Sequence, residues 1–177
     1  RFYGSCSAHV AGLIYVNEEG LIVSTGYFNK GRNKIVERLL IGSEGTAGII
    51  VRIALHLLPA PKKVTTSLHF FATTKDAIET AQAFVKSGLP PASMEYMDAS
   101  VLGIIAPVEH PYYTSEASCA MILEYSDQDL VDIPLMHNAI RTIDATTENE
   151  RAAIWAFRNS VSQMLYNVAT DKINEDV

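Results

Sequence analysis

The sequence predicts an α+β chain in two parts: a β-rich segment ending in a glycine-dense loop and strand, then an antiparallel sheet with helices in the ferredoxin-like split βαβ order. Three observations carry this. Gly42, Gly45 and Gly48 recur at three-residue spacing directly ahead of an apolar, β-branched run. Pro59 and Pro61 stop that run, so residues 1–61 and 62–177 read as separate domains. From Val64 to Thr146 strand-like and helix-like patterns then alternate, and a last helix follows at about 148–168.

In the first part, 10–16 and 21–27 are short β-rich runs joined by Asn17-Glu18-Glu19-Gly20, a hairpin turn. Lys34 to Leu40 suits one or two helical turns, and Gly48 to Leu58 a long strand. In the second part, Val64 to Phe71 is a strand. Thr73 and Thr74 cap a helix with the stripe Ala77, Ile78, Ala81, Phe84 and Val85, which ends at Gly88. Ser93 to Met97 is a strand, Ala99–Ile105 a short apolar helix, and Ser118 to Tyr125 a third strand. A helix from Asp127 to about Ile140 and a strand at 142–146 complete four antiparallel strands with two helices on one face. Thr147-x-x-Glu150 is a capping box that opens the last helix.

Composition narrows the function classes. A hydrophobic content of 48% supplies a core, while 19% charged residues is low enough that part of the surface is expected to face another domain or subunit. A net charge of −6 argues against nucleic acid as partner, since phosphate binding needs a basic face. No apolar run reaches the roughly 18 residues of a transmembrane helix, and no secretory h-region follows a basic start in this sequence. Cys6 and Cys119 offer no disulfide framework, and the five scattered histidines no metal site. A reducing compartment is expected, cytoplasmic or peripheral to a membrane. Because the chain starts at Arg1 and opens in mid-domain, it is expected to be a piece of a longer protein.

Two places carry chemistry. The glycine loop lacks Gly-Lys-Ser/Thr and leads into a strand, so it is no Walker loop; any ligand there is held by main chain. Its plainer interpretation is turn chemistry at a strand entrance. On the last helix, Ile154, Arg158, Val161, Leu165 and Val168 fall on one face. A guanidinium in an apolar stripe needs an anion. Either it snorkels at the stripe's edge or pairs with a core carboxylate, or its fork anchors a substrate carboxylate. Glu95 and Asp98 read as structural, Cys6 as a small buried side chain, and Tyr112-Tyr113 as candidates to line a cleft.

These segments resemble the FAD-linked oxidases of the D-lactate, glycolate and D-2-hydroxyglutarate dehydrogenase type. Gly42 to Ile50, GSEGTAGII, is similar to that family's GSEGTLGIIT signature, with Ala47 and Val51 as departures. Tyr3, Gly4, His9, Val10 and Gly12 match a second segment, where Cys6 and Ala8 depart. Trp155-Ala156-Phe157-Arg158 resembles the family's W-x-x-R, and Asp171 to Val177 the stretch that returns to the flavin domain. The resemblance implies a vanillyl-alcohol-oxidase-like flavin subdomain over 1–61 and a substrate cap over 62–177. It implies FAD contacts at Glu44, Gly45, Thr46, Gly48, Ile49 and Ile50, and substrate contacts at Arg158 and Ser162, with Lys172 as the candidate for the family's substrate-contacting lysine. The expected activity is oxidation of a small D-2-hydroxy acid by hydride transfer to flavin, the electrons passing to a separate acceptor or partner subunit. Its catalytic base and metal-binding histidines would lie downstream of Val177, so no catalytic residue or metal ligand is assigned here. Two alternatives stay open: a sister flavoenzyme acting on a sugar acid or ether-lipid precursor, and a non-catalytic ferredoxin-like ligand-binding module.

Overall fold

Asn17 sets the first hairpin. Its Oδ1 accepts from the main-chain N–H of Glu19 and Leu21 at 3.1 and 2.8 Å, and Gly20 takes the left-handed φ of 76° that the turn needs. The computed structural model describes residues 4–30, 34–88, 91–105, 112–127 and 138–168, in two compact units divided between Ala60 and Pro61. In the first unit β1 (Val10–Val16) is central, flanked by β2 (Ile22–Ser24) and β3 (Ile49–Leu55), all antiparallel. Helix α1 (Lys34–Leu40) adds Leu40 to a small core with Val10 and Leu13. Its Glu37 is buried but accepts from Thr25 Oγ1 at 2.9 Å, while Thr25 Oγ1 accepts from Leu13 N–H. A buried carboxylate is tolerable only when hydrogen-bonded in this way. The strand expected over 48–58 ends at Leu55, and Ile49, Val51, Ile53 and Leu55 turn one apolar face outward.

The second unit is a four-stranded antiparallel sheet in the order β5 (Ser93–Met97), β6 (Cys119–Ser126), β4 (Val64–Phe71), β7 (Ala139–Ala145). Central β4 and β6 are buried along almost their whole length because both faces are covered. Phe71, Cys119, Met121, Leu123 and Tyr125 pack against Ala77 and Phe84 of α2 (Thr74–Ser87). Leu68, Phe70, Ala120 and Ile122 pack against α3 (Ala99–Ile105) and α4 (Glu148–Val168). Among the described helices, α2 covers one face and α3 and α4 the other; the second helix expected beside α2 is the one from Asp127. The helix expected from Asp127 falls mostly outside the described residues. Asp127 itself, at φ 59°, accepts from the main-chain N–H of Lys62 and Lys63.

The caps lie where local chemistry puts them. Thr73 Oγ1 accepts from Asp76 N–H at 3.2 Å, and Gly88 closes α2 at φ 74°. Asp98 Oδ1 accepts from Val101 N–H at the start of α3. At α4, Thr147 Oγ1 accepts from Glu150 N–H, and Glu150 Oε2 accepts from the N–H of Thr146 and Thr147. Those donors hold the Glu150 carboxyl below its ordinary pKa. On the α2 face, His69 is buried between Ser67 Oγ at 2.6 Å and Thr142 Oγ1 at 3.0 Å, and burial lowers its pKa to about 4.

Candidate functional site

The glycine loop joins α1 to β3. Ser43 N–H donates to Leu40 O, and both the N–H and Oγ1 of Thr46 donate to Ser43 O at 2.9 and 2.6 Å, winding the loop tightly. Gly42, Glu44 and Gly45 take φ of 84°, 50° and 85° in the left-handed region, which glycine enters freely and Glu44 only under strain. Pairing of Tyr15 with Ile50 and Val16 with Ile49 sets the loop beside the β1–β2 turn. Between them lies a cleft of about 430 Å³.

Four of the six residues expected to meet a cofactor line this cleft: Gly45, Thr46, Gly48 and Ile49. Glu44 turns the loop outside it, and Ile50 packs on the first unit's core. A Cβ on Gly45 would meet nothing within 4 Å, so its backbone is open to a ligand. Gly48 differs. A Cβ there would lie 3.0 Å from Tyr15 Cδ2, 3.0 Å from Val16 O and 3.1 Å from Leu40 Cδ2, so packing inside the protein by itself requires glycine at this position. The cleft's described lining includes Glu18 and Glu19 and no cation. Such a lining disfavours an anionic group such as a pyrophosphate.

The second place is the outer line of α4. The helix buries Ile154 and Phe157, with Val161 and Met164 partly buried beside them. The stripe expected through Arg158 is thus corrected by one position. Both i+3 and i+4 steps keep a helical face, and packing of Phe157 on Phe70, ring centroids 6.2 Å apart, selects i+3 here. Arg158 stands at the edge with its side chain 44% exposed and pairs through Nη2 with Glu95 Oε2 of β5 at 3.3 Å. Ser162 is exposed one turn on. Trp155 is pinned beneath this line, its Nε1–H donating to Glu124 Oε2 at 3.0 Å, while Thr66 Oγ1 donates to the same oxygen at 2.9 Å. Glu124 gave no sequence signal, since its partners come from two distant segments.

Other expectations resolve plainly. Cys6 is exposed, not a small buried side chain, because it lies in a short 3-10 turn that buries none of its residues. Tyr112 and Tyr113 pack partly on the sheet core, and Arg141 Nη1 donates to both their carbonyls at 3.4 Å. Lys172 and the Asp171–Val177 stretch lie outside the described residues. Among the described residues no cluster of three metal-ligating side chains occurs, and no helix is long and apolar enough to cross a membrane.

Comparison with known proteins supplies the lineage. The chain is 26% identical to glycolate oxidase subunit GlcD of Bacillus subtilis (strain 168), covering 98% of this chain and 39% of that protein. It is 32% identical to a D-lactate dehydrogenase of Anaerostipes hadrus, over 56% of this chain and 22% of that protein. The chain thus spans well under half the length of these relatives. Among solved structures, a 4-ethylphenol oxidase from Gulosibacter chungangensis shares the fold with a TM-score of 0.62 at 13% identity, covering 93% of this chain and 42% of that one. An alkyldihydroxyacetonephosphate synthase does so with a TM-score of 0.54 at 16% identity, covering 94% and 29%. Residues 60–177 match the family model of the FAD linked oxidases, C-terminal domain, and the chain belongs to that family.

Proposed function

We propose that this chain supplies one edge of the flavin site and most of the substrate cap of an FAD-dependent oxidoreductase that oxidises a small D-2-hydroxy acid of the glycolate or D-lactate type. Residues 1–61 belong to the flavin side and 62–177 to the cap. The observation that carries this reading is Arg158. Its guanidinium spends one nitrogen on Glu95 and stands 44% exposed at the edge of a capped, well-packed helix. A fork held at one corner still offers its remaining N–H donors to a carboxylate in bidentate fashion. The printed activities of the relatives, a glycolate oxidase subunit and a D-lactate dehydrogenase, agree with such a substrate.

When bound, the flavin would accept hydride from the hydroxyl-bearing carbon. This chain's own residues have positioning roles. Main chain at Gly45, Thr46, Gly48 and Ile49 would border an uncharged part of the cofactor, with Glu44 and Ile50 setting the loop's course. Arg158 would bind and orient the carboxylate, and the Ser162 hydroxyl one turn on would add a hydrogen bond. The electrons would leave to a separate acceptor or partner subunit, in the cytoplasm or at a membrane surface.

Steady-state kinetics of the full-length enzyme on several small 2-hydroxy acids test this. Arg158→Ala should lower kcat/KM by about 30- to 1000-fold, roughly 2–4 kcal/mol for a bidentate charge-assisted pair. Arg158→Lys should recover only part. Unchanged kcat/KM in Arg158→Ala would leave Arg158 as no more than a partner of Glu95. Turnover confined to sugar acids or ether-lipid precursors would favour the sister-enzyme alternative.

A further inference from the structure

Glu95 sits in the middle of β5, an edge strand that pairs with β6. Side chains alternate along a strand, so Glu95 shares a face with Met97, which is buried in the core beneath α3 and α4. Pairing of Glu95 with Ile122, from the same core, fixes that direction. Its side chain is 20% exposed and reaches Arg158 of α4, Oε2 to Nη2 at 3.3 Å. The contact is single and longer than the roughly 2.7–2.9 Å of an optimal charge-assisted bond. It steadies the guanidinium without saturating it.

That form of contact has a geometric consequence. Nη2 belongs to both two-donor edges of a guanidinium, one shared with Nε and the other with Nη1. Glu95 takes one hydrogen of Nη2, so a complete edge stays open to another carboxylate whichever hydrogen it takes. Without Glu95, a long side chain 44% exposed would sample many rotamers, and ordering it at the moment of binding would weaken the complex. We infer that Glu95 is a positioning residue, which holds Arg158 so that a substrate carboxylate meets a fork already oriented. This rests on the reading of Arg158 as the carboxylate anchor and adds the group that fixes the anchor's direction. Two carboxylates then share one cation, so the gain lies in orientation and not in charge.

A double-mutant cycle on the full-length enzyme, with glycolate and D-lactate as substrates, tests this. Glu95→Ala should raise KM about 2- to 10-fold, the cost of immobilising one long side chain. It should leave kcat unchanged, because the arginine's hold is the same in ground and transition states. Glu95→Gln keeps an oxygen at the same reach and removes the competing charge, so its KM should stay at or below the parent's. Glu95→Asp is one methylene shorter and should behave as Glu95→Ala does. In the Arg158→Ala background, Glu95→Ala should change kcat/KM no further. The inference is overturned by an unchanged KM in Glu95→Ala, by an equal rise in Glu95→Gln, or by a loss of the same size with and without Arg158. Unchanged kcat/KM in Arg158→Ala alone would instead overturn the reading of Arg158, and the role of Glu95 would fall with it.

Discussion

Arg158 of α4 and Glu95 of β5 meet through one nitrogen and one oxygen at 3.3 Å, tying the last helix to an edge strand of the second sheet. The side chains are 44% and 20% exposed, so solvent screens the pair and its contribution to stability is roughly 0–1 kcal/mol. Arg158→Ala should therefore leave the denaturation midpoint nearly unchanged while abolishing most carboxylate affinity. A large loss of stability in urea would show that the arginine's main work is in the fold.

His69 makes the second unit acid-sensitive. Burial lowers its pKa from 6.5 to about 4, so the unfolded chain takes up a proton that the folded chain refuses. Its contribution to stability is fully present above pH 6.5 and is lost as pH falls toward 4, amounting to about 3 kcal/mol over that window. His69→Gln should flatten the pH dependence of the urea midpoint between 6.5 and 4 relative to the parent chain. Identical slopes would mean that His69 is solvated or protonated in the folded state.

Gly48 and Gly45 should respond unequally to substitution. At φ 142°, and with Tyr15, Val16 and Leu40 within 3.1 Å of any Cβ, Gly48→Val should destabilise the chain even without cofactor. Overpacking of that kind costs about 1–3 kcal/mol before backbone strain is added. Gly45→Ala meets no atom within 4 Å and carries only the strain of its φ of 85°, about 1–2 kcal/mol. Thermal denaturation of the two cofactor-free variants would check the order, and a larger loss for Gly45→Ala would reverse the assignment.

The capping box of α4 gives a local prediction. Thr147→Ala removes the oxygen that accepts from Glu150 N–H and should cost about 1 kcal/mol. Thr147→Ser should retain most of it. Equal stability of all three chains would mean that the first turn is held by tertiary packing alone.

What the sequence disclosed follows the range of the interactions. Thr73, Gly88, Asp98 and the Thr147/Glu150 box act within four residues, and the strands at Val64–Phe71 and Ser93–Met97 lie where alternation and their bounding turns put them. The partner of Arg158 was not legible, because Glu95 lies 63 residues away. Nor was the buried line of α4: the spacing places the stripe through Arg158, and packing on Phe70 puts Phe157 there instead. The need for Gly48 was visible but its reason was not: a ligand and a tyrosine ring exclude a Cβ equally well.

The pairing of β4 has a consequence for how the protein is made. Phe71 pairs with Cys119 and Val64 with Ser126, so this buried central strand emerges roughly 50 residues before its partner. At ribosomal rates of about 5–20 residues per second, that is a delay of several seconds. During it, Leu68, Phe70 and Phe71 have no sheet to join, and the nascent chain is then an expected client for a holding chaperone.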